Sequence, residues 1–461
     1  MSGSTGIGRL AFALERESAL DRYVIGFLAD ALGLRAVETE ASPGRPLLYY
    51  GDGPPDDVQG VVIPRRPGDE LWRELLDGSL DPATIGPQLG FDPIAAIGAL
   101  LTDAVNAGRP TDRHGRLPFA ASFQAEHALG EAPLVDRYVE ALRPLIQREL
   151  GDPPARPRWP HGRRAAIGLS HDVDRPYKWG ILRAVREGRH PPNLAALPRF
   201  AAKAAYTTLQ RARRPADDFW LFDRIVAAEQ RHGFRSTFLF AAMPAFGEWG
   251  TFEDVYYDLG WPRFGPVFSQ LRDGGFGIGL HASYSAHRGL DRLVLERDRL
   301  GNLSGVEPRG LRHHLWHLGP DEAATLRLHE RAGFAFDASL AFNDHLGFRR
   351  NVALPFRPWD RLEQRPLRTV QLPTFCMDGN LFYGGSSVAD AVEQVERHVS
   401  AIKAVGGFGS IDWHVRASVP ANREFRSWGE AYLAILERLA ADPELWVTSL
   451  DEVASWVESR A

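Results

Sequence analysis

The run Ala165-Ala166-Ile167-Gly168-Leu169-Ser170-His171-Asp172-Val173-Asp174 decides how this chain is read. A short apolar stretch of this kind has the pattern of a strand buried on both faces. Two aspartates, two positions apart, follow it at once. Open α/β sheets and barrels bind their ligands at the C-terminal edge of the strands. Two carboxylates brought together there repel unless a cation or a shared proton relieves them. The pair therefore points to a metal site with one ligand and one base. The plain alternative is a capped turn, since Asp is common after strands. The rest of the chain has to decide.

Working outward, strand and helix patterns alternate. Strand patterns lie at 167–170, 236–240, 277–281, 305–313, 334–337, 407–414 and 445–450. Helical patterns lie at 219–232, 262–273, 291–301, 320–332, 388–405 and 428–441. A basic, proline-interrupted helical insertion is expected over 178–215. About seven strands in a βα repeat predict an α/β fold with a parallel sheet or an incomplete (β/α) barrel. Polar residues end several of these strands. His281 ends one, Arg312, His313 and His314 another, Asp337 a third and His414 a fourth. In a parallel barrel such ends meet at one face.

Upstream, strands at 46–50 and 60–64 and helices at 94–105 and Leu134–Leu150 predict a smaller α/β domain over residues 1–155. Asp112-Arg113-His114-Gly115-Arg116 reads as a loop within it. Four prolines in 151–160 cannot continue a helix and read as a linker. The barrel domain then spans 163–461. Few contacts usually cross such a linker, so the two parts are expected to separate on limited proteolysis and leave a folded C-terminal fragment.

Composition narrows the class. The 461 residues are 44% hydrophobic and 25% charged, ordinary for a globular protein. A formal net charge of -5 gives no reason to expect a nucleic-acid partner. The basic run at 211–214 reads as a solvated loop. Cys376 is the only cysteine, which excludes an intrachain disulfide and fits a reducing compartment. The first residues lack the basic start and apolar stretch of a signal peptide, and no window is apolar enough for a membrane span. A cytoplasmic protein is expected.

In this order the motifs resemble those of the polysaccharide deacetylases of carbohydrate esterase family four, the NodB-homology fold. Asp172-Val173-Asp174 resembles the family's Asp pair. Gly279-Leu280-His281-Ala282-Ser283-Tyr284 resembles its histidine motif, and Arg312 its arginine. Gly333-Phe334-Ala335-Phe336-Asp337-Ala338-Ser339-Leu340 is similar to a Gly-Tyr-x-Tyr-Asp-x-Ser-Leu segment, and Gly347-Phe348-Arg349 resembles the element after it. Asp412-Trp413-His414 is similar to the last histidine motif. Short stretches near Asp92, Asp112 and Asp136 resemble an uncharacterised domain that precedes such deacetylases in bacterial surface-polysaccharide gene sets.

The resemblance implies a distorted NodB-type (β/α) barrel and a metal-dependent hydrolase that removes an acetyl group from an N-acetylated glycan or sugar intermediate. It implies Asp174 and His281 as ligands of one divalent metal. The family's second histidine would stand where this chain has Ser285. His314, at a strand end, and His287, six positions after His281, are the candidates for the third ligand, and the strand end favours His314. Such a set suits zinc and also admits iron, manganese, cobalt or nickel. Asp172 matches the catalytic base, Arg312 the group that keeps it ionised, and His414 the general acid. Asp337 is read as the carboxylate that orients His414. Tyr284, Trp316, Trp359, Tyr383 and Trp413 are candidates for stacking on sugar rings. Tyr177 and Asp378 are expected to border the crevice outside the catalytic set. The alternatives are hydrolysis of another amide, such as a cyclic amide, on the same fold, or a degenerate glycan-binding protein, for which Ser285 speaks.

Overall fold

Strand β5, Ala165–Val173, is the axis of the molecule, and all nine of its residues are buried. The computed structural model describes residues 7–42, 45–56, 58–66, 81, 84–178, 217–245, 247 and 249–460. The insertion expected over 178–215 lies outside the described residues, apart from Lys178. So does the basic run at 211–214.

Four parallel strands form the N-terminal sheet: β1 (Arg9–Leu14), β2 (Arg35–Glu38), β3 (Leu47–Tyr50) and β4 (Gly60–Ile63), in the order β2-β1-β3-β4. The two later strands were expected. β1 and β2 were not expected. The large sheet contains β5, β6 (Thr237–Phe240), β7 (Gly277–Ala282), β8 (Gly310–His313) and β9 (Phe336–Asp337). After a two-stranded antiparallel hairpin of β10 (Trp359–Asp360) and β11 (Arg365–Pro366), it adds β12 (Val370–Gln371), β13 (Thr374–Met377), β14 (Phe408–Asp412) and β15 (Leu445–Ser449). Its order is β12-β9-β8-β7-β6-β5-β14-β13, with β15 also on β5, nine strands in all. Every pairing in it is parallel. The sheet curls into an open (β/α) half-barrel. β12 and β13 account for the excess over seven strands. They are two and four residues long and show no period in the sequence.

The helices between the strands cover the outer face, as at Leu290–Ser304 and Glu322–Arg331. The C-terminal strand ends therefore gather on the inside of the curl, at one mouth.

Among the described residues the N-terminal sheet keeps only a small cluster of its own, at Ala13, Leu47 and Tyr49, and shares its main core with the barrel. One apolar cluster runs from Leu10, Val24, Ile97 and Leu142 into Phe336, Val352, Leu354, Phe408 and Val453. Polar contacts tie the same seam. Asn351 donates to the carbonyls of Leu129 and Ala132 at 2.8 Å each, and Gln124 donates to Asn351 at 2.9 Å. In the proline-rich stretch, Trp159 is 2% exposed and its indole N–H donates to Gly406 O at 2.8 Å. Those prolines stop a helix, but the end of the stretch is held down, with Arg158 and Trp159 bonded to the carbonyls of Val405 and Gly406. Deleting residues 1–162 is therefore expected to yield an insoluble fragment, because Val352 and Leu354 would face water. A soluble fragment with a cooperative thermal transition would contradict the shared core.

Asp136 adds a pH dependence to this seam. Its Oδ2 accepts from Ala353 N at 2.7 Å, and burial pushes the carboxyl from its ordinary value of 3.8 up to about 7. Below the ordinary value both folded and unfolded chains hold the proton. As pH rises toward 7 only the unfolded chain releases it, so stability falls across that window. The fall is on the order of 4 kcal/mol at about 1.36 kcal/mol per unit. Asp136→Asn keeps an acceptor for Ala353 and cannot ionise. Its thermal midpoint should decline less than the wild-type midpoint between pH 5 and 8. Parallel curves would show that Asp136 does not titrate in this window.

Candidate active site

Strand alternation explains the spacing of the aspartates. Side chains two apart share a face. Asp172 and Asp174 thus turn into the mouth, while Val173 packs in the core beside Phe238 and Phe240. His171 points away with Val173, its ring nitrogens at 2.6 Å from Trp413 O and from Glu229 Oε1.

Arg312 lies at the centre of the buried polar group. It is 0% exposed. Its Nη1 is 2.9 Å from Asp172 Oδ1 and 3.1 Å from Asp412 Oδ1, and its Nη2 donates to Ser170 Oγ at 3.0 Å. The Trp316 ring covers the guanidinium at 4.9 Å. Burial opposes ionisation of Asp172, but His281 and Arg312 outweigh it and hold the carboxyl below its ordinary value. Asp412 goes the other way. Burial, with the neighbouring Asp172 charge, pushes it up to about 7. Of the two acids around one arginine, Asp172 is the one kept ionised.

Asp174, His281 and His314 bring one donor atom each within 4.8 Å of one another. His281 Nδ1 donates to Arg312 O at 3.1 Å, so its Nε2 faces Asp174 Oδ1, also at 3.1 Å. Asp174 Oδ1 has no well-aligned hydrogen-bond partner among the described residues. His314 Nε2 is 3.7 Å from the same oxygen. Burial keeps the His314 imidazole below its ordinary value and hence neutral, as a ligand must be. The carbonyl on His281 Nδ1 fixes that ring in the manner of metal-site histidines. These residues fit a divalent cation with N and O donors. His287 is elsewhere, its ring against His317 and its Nδ1 on Tyr284 O at 3.1 Å. Ser285 donates to Trp249 O at 3.0 Å and takes no part.

His414 stands on the other side of Asp174, with Nε2 3.0 Å from Asp174 Oδ2. Its Nδ1 is 2.8 Å from Asp378 Oδ1, and its backbone N donates to Asp378 Oδ2 at 2.9 Å. Burial opposes protonation of His414, but Asp378 and Asp174 outweigh it and hold the imidazole well above its ordinary value. The orienting carboxylate is thus Asp378, and the reading of Asp337 in that role is corrected. The cause is strand order. β13 pairs with β14 at Met377↔Asp412, which brings the next residue, Asp378, beside His414. Asp337 lies on β9, five strands from β14 on the other side of β5. It accepts from Ser339 N at 3.0 Å and stands 3.7 Å from His329. His313 also turns away, onto His329 at 2.9 Å. Arg416, which sequence reasoning missed, is buried 3.6 Å from Asp174 Oδ2. No motif in the sequence singles it out.

A cavity of about 500 Å³ opens above Asp174 and His314, between Tyr177, Phe252, Tyr383 and the N-terminal His114. Tyr383 is 77% exposed and Phe252 36%. Of the other stacking candidates, Trp413 is buried, Trp359 packs on Tyr23 and Tyr284 on His317. The turn after His314 is strained. Leu315 and Trp316 both have φ of 57°, left-handed backbone that costs non-glycine residues on the order of 1–3 kcal/mol each and clusters at functional sites.

No family model matches the chain, and no curated protein matches it. Solved structures do. A Mycobacterium smegmatis protein assigned to the polysaccharide deacetylases is 18% identical, with 67% of this chain and 95% of that chain covered and a TM-score of 0.43. An allantoinase is 17% identical over 67% and 95%, with a TM-score of 0.44. A family 4 carbohydrate esterase from Streptomyces lividans, in complex with acetate, is 12% identical over 62% and 92%, with a TM-score of 0.29. Neighbours of these kinds are what the motif order implied. They carry no argument about this site, whose reading rests on its own geometry. No helix among the described residues is long and apolar enough to cross a membrane.

Proposed function

We propose that the protein is a metal-dependent hydrolase that removes an acetyl group from an N-acetylated glycan or sugar intermediate. One observation carries the reading: an acid and a base flank one three-donor cluster. Asp172, held ionised beside Arg312, is the base, and His414, held protonated beside Asp378, is the acid. Asp174, His281 and His314 would hold a divalent ion, with zinc the best match to the donors, and that ion would supply positive charge to polarise a carbonyl and acidify water.

Amide hydrolysis needs a proton taken from water and one given to the leaving amine. Asp172 accepts the first. Arg312, itself buried, keeps that carboxylate aimed and charged. His414 gives the second from Nε2, while Asp378 fixes the Nδ1 proton and so the ring's orientation. Asp412, sharing the arginine, adds a second acceptor beside Asp172. The exposed Tyr383 and Phe252 at the cavity rim favour a sugar ring over a small cyclic amide, because sugars stack on aromatic faces. With Cys376 its only cysteine, buried and unpaired, we place the protein in a reducing compartment, the cytoplasm. The likeness of its N-terminal part to a domain found in surface-polysaccharide gene sets supports a place in that metabolism.

The test is the product. Zinc- or cobalt-loaded protein should release acetate from acetylated chito-oligosaccharides or a surface-glycan precursor. Ring-opening of cyclic amides without acetate release would move the reading to the other amide class. Binding of the glycans with metal present and no acetate from any of them would move it to a binding protein.

A further inference from the structure

The stretch Asp112-Arg113-His114-Gly115-Arg116 has no part in the chemistry above. It folds as a finger of the N-terminal part, closed on itself. Asp112 Oδ1 accepts from His114 N at 2.8 Å and Arg116 N at 3.0 Å, and Gly115 N donates to Asp112 O at 2.9 Å. Gly115 has φ of 74°, which glycine adopts without a Cβ penalty. Asp112 Oδ2 accepts from Arg116 Nε at 2.9 Å, so the guanidinium is braced with Nη1 still available.

Two contacts leave the finger. Arg116 Nη1 donates to Leu315 O at 2.8 Å, and His114 Nδ1 meets the Tyr284 hydroxyl at 2.6 Å. Arg113 Nε donates to His114 Nε2 at 2.9 Å, which leaves the ring proton on Nδ1 for Tyr284. Leu315 directly follows His314, and Tyr284 is the third residue after His281. The finger thus grips the chain behind each of the two histidines of the donor cluster. The grip on Leu315 falls on the left-handed turn, whose own backbone hydrogen bonds are two long ones, His317 N to His314 O and Leu318 N to Trp316 O, at 3.2 Å each. Backbone of that kind persists only where its surroundings over-determine it.

We propose that the finger is a positioning device for the metal site. Arg116, braced by Asp112, pins the turn that presents His314 to Asp174, and His114 pins the loop that follows His281. The inference rests on the metal reading of Asp174, His281 and His314. It gives the N-terminal part a role inside the active site.

The experiment uses the full-length chain with cobalt(II) as probe. Chelator competition measures affinity, and the visible spectrum reports coordination geometry. Arg116→Ala should bind cobalt roughly 10–100-fold more weakly, with a changed spectrum and an unchanged far-ultraviolet circular dichroism of the metal-free protein. Arg116→Lys, which reaches the carbonyl but cannot form the planar fork to Asp112, should fall between. Tyr284→Phe, which removes one hydroxyl, should lose affinity by a smaller factor and serves if Arg116→Ala fails to fold. A readout without metal is the amide exchange of His317, expected to be faster in Arg116→Ala and Tyr284→Phe. Wild-type cobalt affinity and spectrum in the variants overturns the proposal, whatever the exchange shows. If the wild-type protein binds no cobalt, the metal reading falls. The exchange then decides the clamp, and unchanged protection of His317 overturns it.

Discussion

Asp174→Ala and His281→Ala should each leave the purified protein without bound divalent metal. Asp174 Oδ1 is the atom on which the other two donors converge, at 3.1 Å from His281 Nε2 and 3.7 Å from His314 Nε2. Removing it leaves two imidazoles that share no anion. Removing His281 leaves Asp174 with a single histidine of the donor set. A three-donor site that loses one member retains too little coordination to compete with water. Lewis-acid help is worth several kcal/mol in the transition state, so activity should fall by roughly a thousand-fold or more at about 1.36 kcal/mol per decade. His314→Ala should behave alike, and His287→Ala should keep its metal. Metal content by elemental analysis of folded variants decides it. Full occupancy in both Asp174→Ala and His281→Ala would end the assignment.

Asp172→Asn and His414→Ala should keep metal and substrate affinity and lose turnover. General acid–base groups contribute roughly a hundred- to ten-thousand-fold each. A group acting only in the proton transfers lowers kcat and leaves binding alone. Asp172→Asn also removes one of the two carboxylates on a fully buried guanidinium. Breaking a buried pair costs about 3–5 kcal/mol, but Asp412 stays 3.1 Å from Arg312, so the protein should fold with a lowered thermal midpoint. Asp378→Asn should lose less turnover than His414→Ala, because it disturbs the orientation of the imidazole without deleting it. A KM that rises in step with the loss of kcat in both principal variants would place these residues in binding and not in chemistry.

The site was readable where the chain is local. Alternation within β5 places Asp172 and Asp174 on one face, and a strand end puts His314 in the mouth. The βα repeat gave the parallel sheet. What sequence could not carry is which strands become neighbours. Asp378 was left aside because the β13–β14 pairing that seats it on His414 involves a four-residue strand without a period. Asp337 was drawn in because it ends a strand, and ending a strand says nothing about which ring lies opposite. The finger was invisible as such, since its partners are 170 and 199 residues away. The contacts of the stretch read as a linker were hidden for a related reason. Proline content reports what the backbone cannot do, while Trp159 is held by a surface assembled from 406 and beyond.

The pairing of β5 also has a consequence in time. Its neighbours include β14 and β15, with Ser170 beside Asp412 and Ala165 beside Leu445. Chains grow from the N-terminus during synthesis, and domains generally form as units in that order. Here the first 160 residues share their core with Phe408 and Val453. Neither half can complete itself early, and a nine-residue, fully buried strand waits for partners made last. Parallel sheets with such distant pairings are intrinsically slow to form and exposed to aggregation meanwhile. The yield of native protein should therefore depend on chaperones and on growth temperature more than on the stability of the finished fold.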